Sequence, residues 1–224
     1  MEALKQSIIE RVKAFPGHTS FYFKDLTSGD SFSYNSDEPM GAASVIKLTV
    51  MAELFRQIDA GMISRDQKLT VKDENRVPIC GVLTLMHSGM EVTPIDLCWL
   101  MITISDNMAT NMLIDLLGID NIQANIERLG LAGCKLSRKL FEKRPEFRGM
   151  RNYISGNGIG KLLEMLGDLP VFLHCIRNFS EICDQQNMVV AVRSEAIEEY
   201  RRSAASHLPK FTFKFVPGGA TRSD

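Results

Sequence analysis

No stretch of this chain approaches the roughly 20 consecutive apolar residues that a bilayer-spanning helix needs. The longest candidate, around Leu97 to Ile104, is too short. Neither sign of charge is in excess, with 26 basic residues against 27 acidic ones. That balance argues against a strong overall field for nucleic acid or an anionic membrane and leaves a small molecule as the expected ligand. Metal-type pairings are also missing. The five cysteines (Cys80, Cys98, Cys134, Cys175 and Cys183) are scattered, with no Cys-x-x-Cys pair. The four histidines (His18, His87, His174 and His207) show no His-x-x-x-His spacing. A zinc site is not expected, and the cysteines read as thiols in packing roles. There is no internal repeat and no low-complexity segment.

What is present suffices for a sizeable core. The chain has 224 residues, 45% of them apolar, enough for one domain or two intimately packed lobes. The opening "MEALKQSIIERVKAF" is a charged amphipathic helix, about Glu2 to Ala14, without an apolar signal core. The expectation is a cytoplasmic protein, or a mature form whose export signal was removed. "TSFYFKDLTSGDSFSYNSDEP" reads as a β-hairpin around a Gly-containing turn. An apolar-periodic helix follows from Val45 to Ala60.

"RDQKLTVKDENRVPICG" reads as a short strand and a polar loop, and "GVLTLMHSGMEVTPIDLCWLMITISDNMATNMLIDLLG" as mostly helical, with Thr93 and Asp96 capping "PIDLCWLMITI". "IDNIQANIERLGL" predicts a helix ended by Gly130. Another helix starts near Ser155, Ser180 to Ala205 is helical in part, and "FTFKF" near the end is a strand by composition. This order suits an α/β lobe, built from both termini, around an all-helical insertion.

Two short stretches carry candidate chemistry. In "GAASVIKLTVMAELF", Ser44 and Lys47 are three residues apart, on one helical face. A serine hydroxyl attacks poorly at neutral pH unless a neighbouring base takes its proton, and a lysine amine can do so when burial or other cations lower its pKa. At the first turn of a helix the Ser44 N–H would also be a donor for a developing oxyanion. The plain alternative is an N-cap serine and a solvated lysine. The second stretch is "TISDNMATN", with Ser105, Asp106 and Asn107 between two apolar helices. It reads either as ordinary N-capping by Ser or Asp or as a proton relay (Ser105) beside an amide that holds Lys47 and a substrate carbonyl (Asn107).

In this order and spacing the two stretches resemble the class A β-lactamase and penicillin-binding serine hydrolase family, whose signature is Ser-x-x-Lys followed some sixty residues later by Ser-Asp-Asn. "FYFKDLTSGDSFSYNSDEPMGAASVIKL" and "SRKLFEKRPEFRGMRNYIS" are similar to the segments around those motifs, and the likeness runs from about Thr19 to Leu166. The resemblance implies an α/β lobe with an antiparallel sheet flanked by helices (about 1–40 and 207–224) and an all-helical lobe (about 41–206). The site would lie in the cleft between them. It implies that Ser44 is acylated by a β-lactam or related amide, with Lys47 as base, Ser105 as relay and Asn107 as positioning amide. No metal or organic cofactor is implied.

The departures are specific. The family's Lys-Thr-Gly strand has no counterpart; in "HLPKFTFKFVPGGATRSD" the lysine position falls on Lys214, which would contact substrate, and Pro217 falls where a backbone N–H donor is needed. Proline has none. The family's two further strands and closing helix have no counterpart after Lys214, so the expected sheet is incomplete. Its edge would need a rearranged tail or a partner, such as a second copy in a dimer. The position of the deacylating glutamate falls on Leu140, with Glu142 as the nearest substitute and Glu146 beyond it. The expected function is therefore a serine hydrolase forming an acyl-enzyme with β-lactams or related amides. The alternatives are a penicillin-binding or peptidase-like protein that deacylates slowly, and a non-catalytic binding descendant.

Overall fold

The computed structural model describes residues 2–26, 28–77 and 81–167. Lys214, Pro217, the "FTFKF" strand, the helix expected within Ser180 to Ala205, and Cys80, Cys175 and Cys183 lie outside the described residues. Within them the fold combines helices with short antiparallel strand pairs. After α1 (Glu2–Ala14) comes the expected hairpin of β1 (Phe21–Lys24) and β2 (Ser31–Tyr34), with Phe23 opposite Phe32. Gly29, at φ +78°, allows the turn to close with its N–H on the Asp25 carbonyl at 2.8 Å. The Phe32 ring is buried between Phe21 and Phe23, with centroids 5.5 and 5.0 Å away.

The helix expected near Ser155 is α6 (Gly156–Gly167). The Ser155 hydroxyl receives the Gly158 N–H at 2.9 Å, as an N-cap should. This helix lies against β1. A Cβ on Gly160 would sit 2.3 Å from the Tyr22 ring, so glycine here permits the close approach. The Tyr22 hydroxyl donates to Glu164, and Lys24 Nζ stands 2.6 Å from the same carboxylate. Burial and then the Glu164 bond push the Tyr22 hydroxyl up to about 12. For Glu164, burial pulls upward, but the bonds from Lys24 and Tyr22 outweigh it and hold the carboxyl below its usual range.

The core gathers around α2 (Lys47–Asp59). Ile46, Val50 and Leu54 follow one another at four-residue spacing and are fully buried. They face Leu97 and Met101 of α3 (Pro94–Thr103), Met108 and Leu113 of α4 (Asn107–Leu117) and Ile122 of α5 (Ile119–Arg128), all in one cluster. Cys98 and Cys134 belong to the same core, in the packing role expected of them. Glu53 is buried there too. Its carboxylate accepts from Arg56 Nε and Nη2, both at 2.7 Å, and from Gln57 Nε2 at 2.6 Å, so no polar atom of the carboxylate is left without a donor. Gln57 also reaches the Leu117 carbonyl at 3.1 Å and ties α2 to the end of α4.

Thr93 and Asp96 form the expected capping box at the start of α3, with Pro94 in its first turn. Gly130, at φ +63°, ends α5 as expected: Gly130 N–H bonds the Glu127 carbonyl and Leu131 N–H the Ile126 carbonyl, a Schellman pair. The stretch expected to be mostly helical holds α3 and α4; its first part, residues 81–92, contains a 3₁₀ turn at Leu83–Leu85 and then β5 (Glu91–Val92), which pairs with β4 (Leu69–Thr70). Its apolar residues suit a helix in composition. Gly81 and Gly89, both at positive φ, break the run, and Leu83 alone of the 3₁₀ turn is buried.

The elements that aim the candidate site are β3 (Met40–Gly41) and β6 (Tyr153–Ile154), paired with Gly41 opposite Tyr153. Tyr153 also exchanges both backbone bonds with Lys135, at 2.8 and 2.9 Å. Residues 136–152 thus leave and return beside the strand that delivers Ser44.

Candidate active site

β3 runs directly into a 3₁₀ turn, Ala43–Ile46, which continues as α2. Ala43 has φ +42°, a left-handed conformation that costs a non-glycine residue about 1–2 kcal/mol. The surroundings hold it there: Ala42 is buried and its N–H bonds the Asn152 carbonyl at 3.0 Å. The consequence is that Ser44 is exposed, while Ile46 and Lys47 point inward. The first backbone bond of the turn runs from Val45 N to Ala42 O, so the Ser44 N–H stands outside the turn's own ladder.

Lys47 keeps only 2% of its exposure, so its amine must be met by acceptors. Nζ lies 2.7 Å from the Ser105 carbonyl oxygen, 2.7 Å from Ser105 Oγ and 3.0 Å from Asn107 Oδ1. Ser105 Oγ in turn lies 2.8 Å from Ser44 Oγ. A continuous path therefore joins the Ser44 hydroxyl to the Lys47 amine through the Ser105 hydroxyl. Ser105 reaches this position because it too adopts a left-handed conformation, at φ +59°, which aims both its carbonyl and its hydroxyl at Lys47.

Asp106 does the capping: its carboxylate accepts from Ala109 N at 3.0 Å and from Leu83 N at 2.9 Å, while Ser105 and Asn107 turn to Lys47. The carboxylate is completely buried and fixes the loop at residues 81–83 to the start of α4. The approach is so close that a Cβ on Gly81 would lie 2.2–2.5 Å from the Asp106 carboxylate.

The loop that carries the candidate deacylating base is held by two asparagines. Asn152 bonds both N–H groups of Ser137 and Arg138 through Oδ1 and the Arg138 carbonyl through Nδ2. Asn111, buried in α4, brackets Leu140: Nδ2 donates to its carbonyl at 2.9 Å and Oδ1 accepts its N–H at 2.8 Å. Neither clamp was part of the sequence reading. An asparagine inside an apolar helix was the signal available for Asn111. Glu142 accepts from Lys143 N, Arg144 N and Arg144 Nε on one oxygen and from Arg144 Nη2 on the other. The Arg144 guanidinium, followed by its backbone N–H, holds the carboxyl down at about 2. A base with so low a pKa removes protons poorly near neutrality. Glu146 is a further 3.7 Å neighbour of Arg144. Two clefts lined by Glu142 are bordered by none of Ser44, Lys47 and Ser105.

The arrangement brings two serine hydroxyls and a lysine amine within hydrogen-bond reach, and known proteins resemble the chain in sequence and fold. A sequence model described as the β-lactamase enzyme family matches residues 3–171. A β-lactamase of Rhodobacter capsulatus is 30% identical over 118 residues, 53% of this chain and 40% of that protein. A β-lactamase of Nocardia farcinica is 34% identical over 105 residues, 46% of this chain and 33% of that protein. The matched region thus spans between a third and two-fifths of these relatives' length. Among solved structures, a β-lactamase from Sphaerobacter thermophilus superposes with TM-score 0.65 at 31% identity, covering 72% of this chain and 60% of its own. PBP-A gives 0.69 at 28% identity, covering 79% and 67%. A point variant of PBP-A, described as an acyl-enzyme complex with penicillin G, gives 0.70 at 28%, covering 80% and 68%.

Proposed function

The chain belongs to the β-lactamase enzyme family, and from that premise we propose that it is a serine hydrolase that forms an acyl-enzyme at Ser44 with β-lactams or related amides. The observation that carries this reading is the path Ser44 Oγ, Ser105 Oγ, Lys47 Nζ, with steps of 2.8 and 2.7 Å.

In this reading the path has a direction for proton transfer. Of the three partners of Lys47 named above, the Ser105 carbonyl and Asn107 Oδ1 can only accept, while Ser105 Oγ can do either. A neutral amine has two N–H donors and one lone pair. In the resting arrangement Nζ donates to Ser105 Oγ, which donates to Ser44 Oγ; acylation requires the neutral amine, with its lone pair turned to Ser105 Oγ. As Ser44 Oγ bonds to the lactam carbonyl carbon, its proton passes to Ser105 Oγ and the Ser105 proton to Lys47. The carbonyl π electrons move to oxygen, and the Ser44 N–H is a donor for that charge. When the C–N bond breaks, the electron pair stays on nitrogen, which takes a proton from Ser105, itself resupplied by Lys47. The acyl-enzyme forms with no net gain or loss of protons. Asn107, besides fixing the amine, would position the substrate amide, and Lys214 would meet its carboxylate. Glu142 would serve as deacylating base only after release from Arg144.

That last requirement favours a second reading, a penicillin-binding or peptidase-like protein that acylates readily and deacylates slowly. Leu140 stands at the position of the family's glutamate, and the Glu142 carboxylate is committed to Arg144. Nitrocefin separates the two. A burst equal to the enzyme concentration followed by a nearly flat line supports the slow reading, and a sustained steady rate supports full turnover. Absence of both burst and steady rate at millimolar substrate would count against acylation altogether.

A further inference from the structure

The loop between Arg138 and Arg151 holds six basic residues and two acidic ones, in a chain whose overall charge is −1. The positive charge is concentrated there, and the remainder of the chain is acidic. The loop encloses a cleft of about 500 Å³, within the range of small-molecule sites. Its charged lining is Arg138, Lys143, Arg144, Arg148, Arg151 and Glu142. Five cations against one carboxylate leave four positive charges in excess.

Glu146, 3.7 Å from Arg144, offsets one of those charges and leaves an excess of three to four. Glu142 is spent on Arg144, and Arg138 Nη1 donates to the Glu142 carbonyl at 3.1 Å. Among the described residues, the side chains of Lys143, Arg148 and Arg151 meet no carboxylate within ion-pair distance. Like charges gathered around one concavity repel one another and favour a bound counter-anion. The loop is also built to hold the cleft open in one shape. Asn152 clamps its base, Arg144 stacks 4.8 Å over the Phe147 ring, and a 3₁₀ turn at Pro145–Phe147 is closed by Phe147 N on Arg144 O and Arg148 N on Pro145 O, both at 3.0 Å. A loop backbone already tied in place lowers the ordering cost of binding.

We propose that this cleft is a binding site for a compact polyanion of the oligophosphate class, carrying three to four negative charges. Guanidinium forks match phosphate oxygens two at a time. The charge of such a ligand equals the excess in the lining, and the volume exceeds what one phosphate fills. The site is separate from Ser44, which does not line it.

Calorimetry of the full chain with inorganic tripolyphosphate tests the assignment, with citrate and a short single-stranded oligonucleotide as the other arms. One tripolyphosphate is expected to bind per chain, more tightly than citrate or the oligonucleotide. The variant Lys143→Ala/Arg148→Ala/Arg151→Ala is expected to weaken it at least tenfold, whereas Lys5→Ala/Arg11→Ala/Lys13→Ala in α1 leaves it unchanged. In the unaltered protein, tripolyphosphate is expected to shift backbone amide resonances between Arg138 and Arg151. No heat at millimolar tripolyphosphate, equal binding by the loop variant, tighter binding of citrate or the oligonucleotide, or amide shifts confined elsewhere would each overturn the proposal.

Discussion

Replacing Ser105 by alanine removes one atom, Oγ, from between Lys47 and Ser44. Lys47 Nζ keeps the Ser105 carbonyl at 2.7 Å and Asn107 Oδ1 at 3.0 Å, so the buried amine is not stranded. A hydrogen bond to a charged group is worth about 1.5–3 kcal/mol. Ser105 is only half-buried, so water can replace part of that, and a loss of about 1 kcal/mol in stability is expected. The kinetic loss is larger. The path from Ser44 Oγ to Nζ is cut at its middle, and positioned acid–base transfer contributes typically 10²–10⁴-fold, or about 2.7–5.5 kcal/mol of barrier.

The companion variant Ser105→Gly separates relay from backbone. It cuts the same path but relieves the left-handed strain at φ +59°, so it should unfold about 1 kcal/mol harder than the alanine variant. Stopped-flow acylation by nitrocefin and thermal unfolding read the two effects independently. Both variants should acylate 10²–10⁴-fold more slowly than the parent while differing in stability. Acylation of Ser105→Ala within threefold of the parent would refute the relay.

Three further outcomes follow from other contacts. Leu140→Glu puts a carboxylate where the resemblance places the family's base, at a residue whose backbone Asn111 brackets; steady-state nitrocefin turnover is expected to rise at least tenfold with the burst unchanged, and an unchanged steady rate would show that the loop does not place residue 140 over the acyl group. Gly81→Ala combines φ +124° with a Cβ 2.2 Å from the buried Asp106 carboxylate; a loss of at least about 2 kcal/mol is expected in urea unfolding, and a near-neutral result would mean that the Asp106 clamp is looser than described. Glu142 has a folded pKa lowered from 4.5 to about 2, so its contribution to stability is fully present above pH 4.5 and is lost as pH falls towards about 2; Glu142→Gln should flatten that part of the acid-unfolding profile, and an identical profile would contradict the Arg144 pairing.

The half of the candidate site around Ser44 and Lys47 was legible because its information is local. Ser44 and Lys47 share one helix face by spacing alone, and Ser105 and Asn107 flank a capping aspartate. Distance in sequence hid the rest. Nothing near Asp106 announces that its second oxygen reaches back to Leu83, and nothing near Gly81 says that the space for its Cβ is already filled. The 3₁₀ turn and strand before α3 were not legible because composition does not reveal that two positive-φ glycines bound that run. Leu140 could be placed by alignment, whereas the commitment of Glu142 to Arg144 needed three dimensions, since two residues of separation is not by itself a contact.

The most direct test of acylation at Ser44 is intact-protein mass spectrometry after incubation with penicillin G, followed by peptide mapping. A mass increase equal to one intact penicillin, located on the peptide containing Ser44, absent in Ser44→Ala and slow to form in Ser105→Ala, is the predicted result. An unmodified mass at millimolar penicillin, or an adduct that persists in Ser44→Ala, would contradict it.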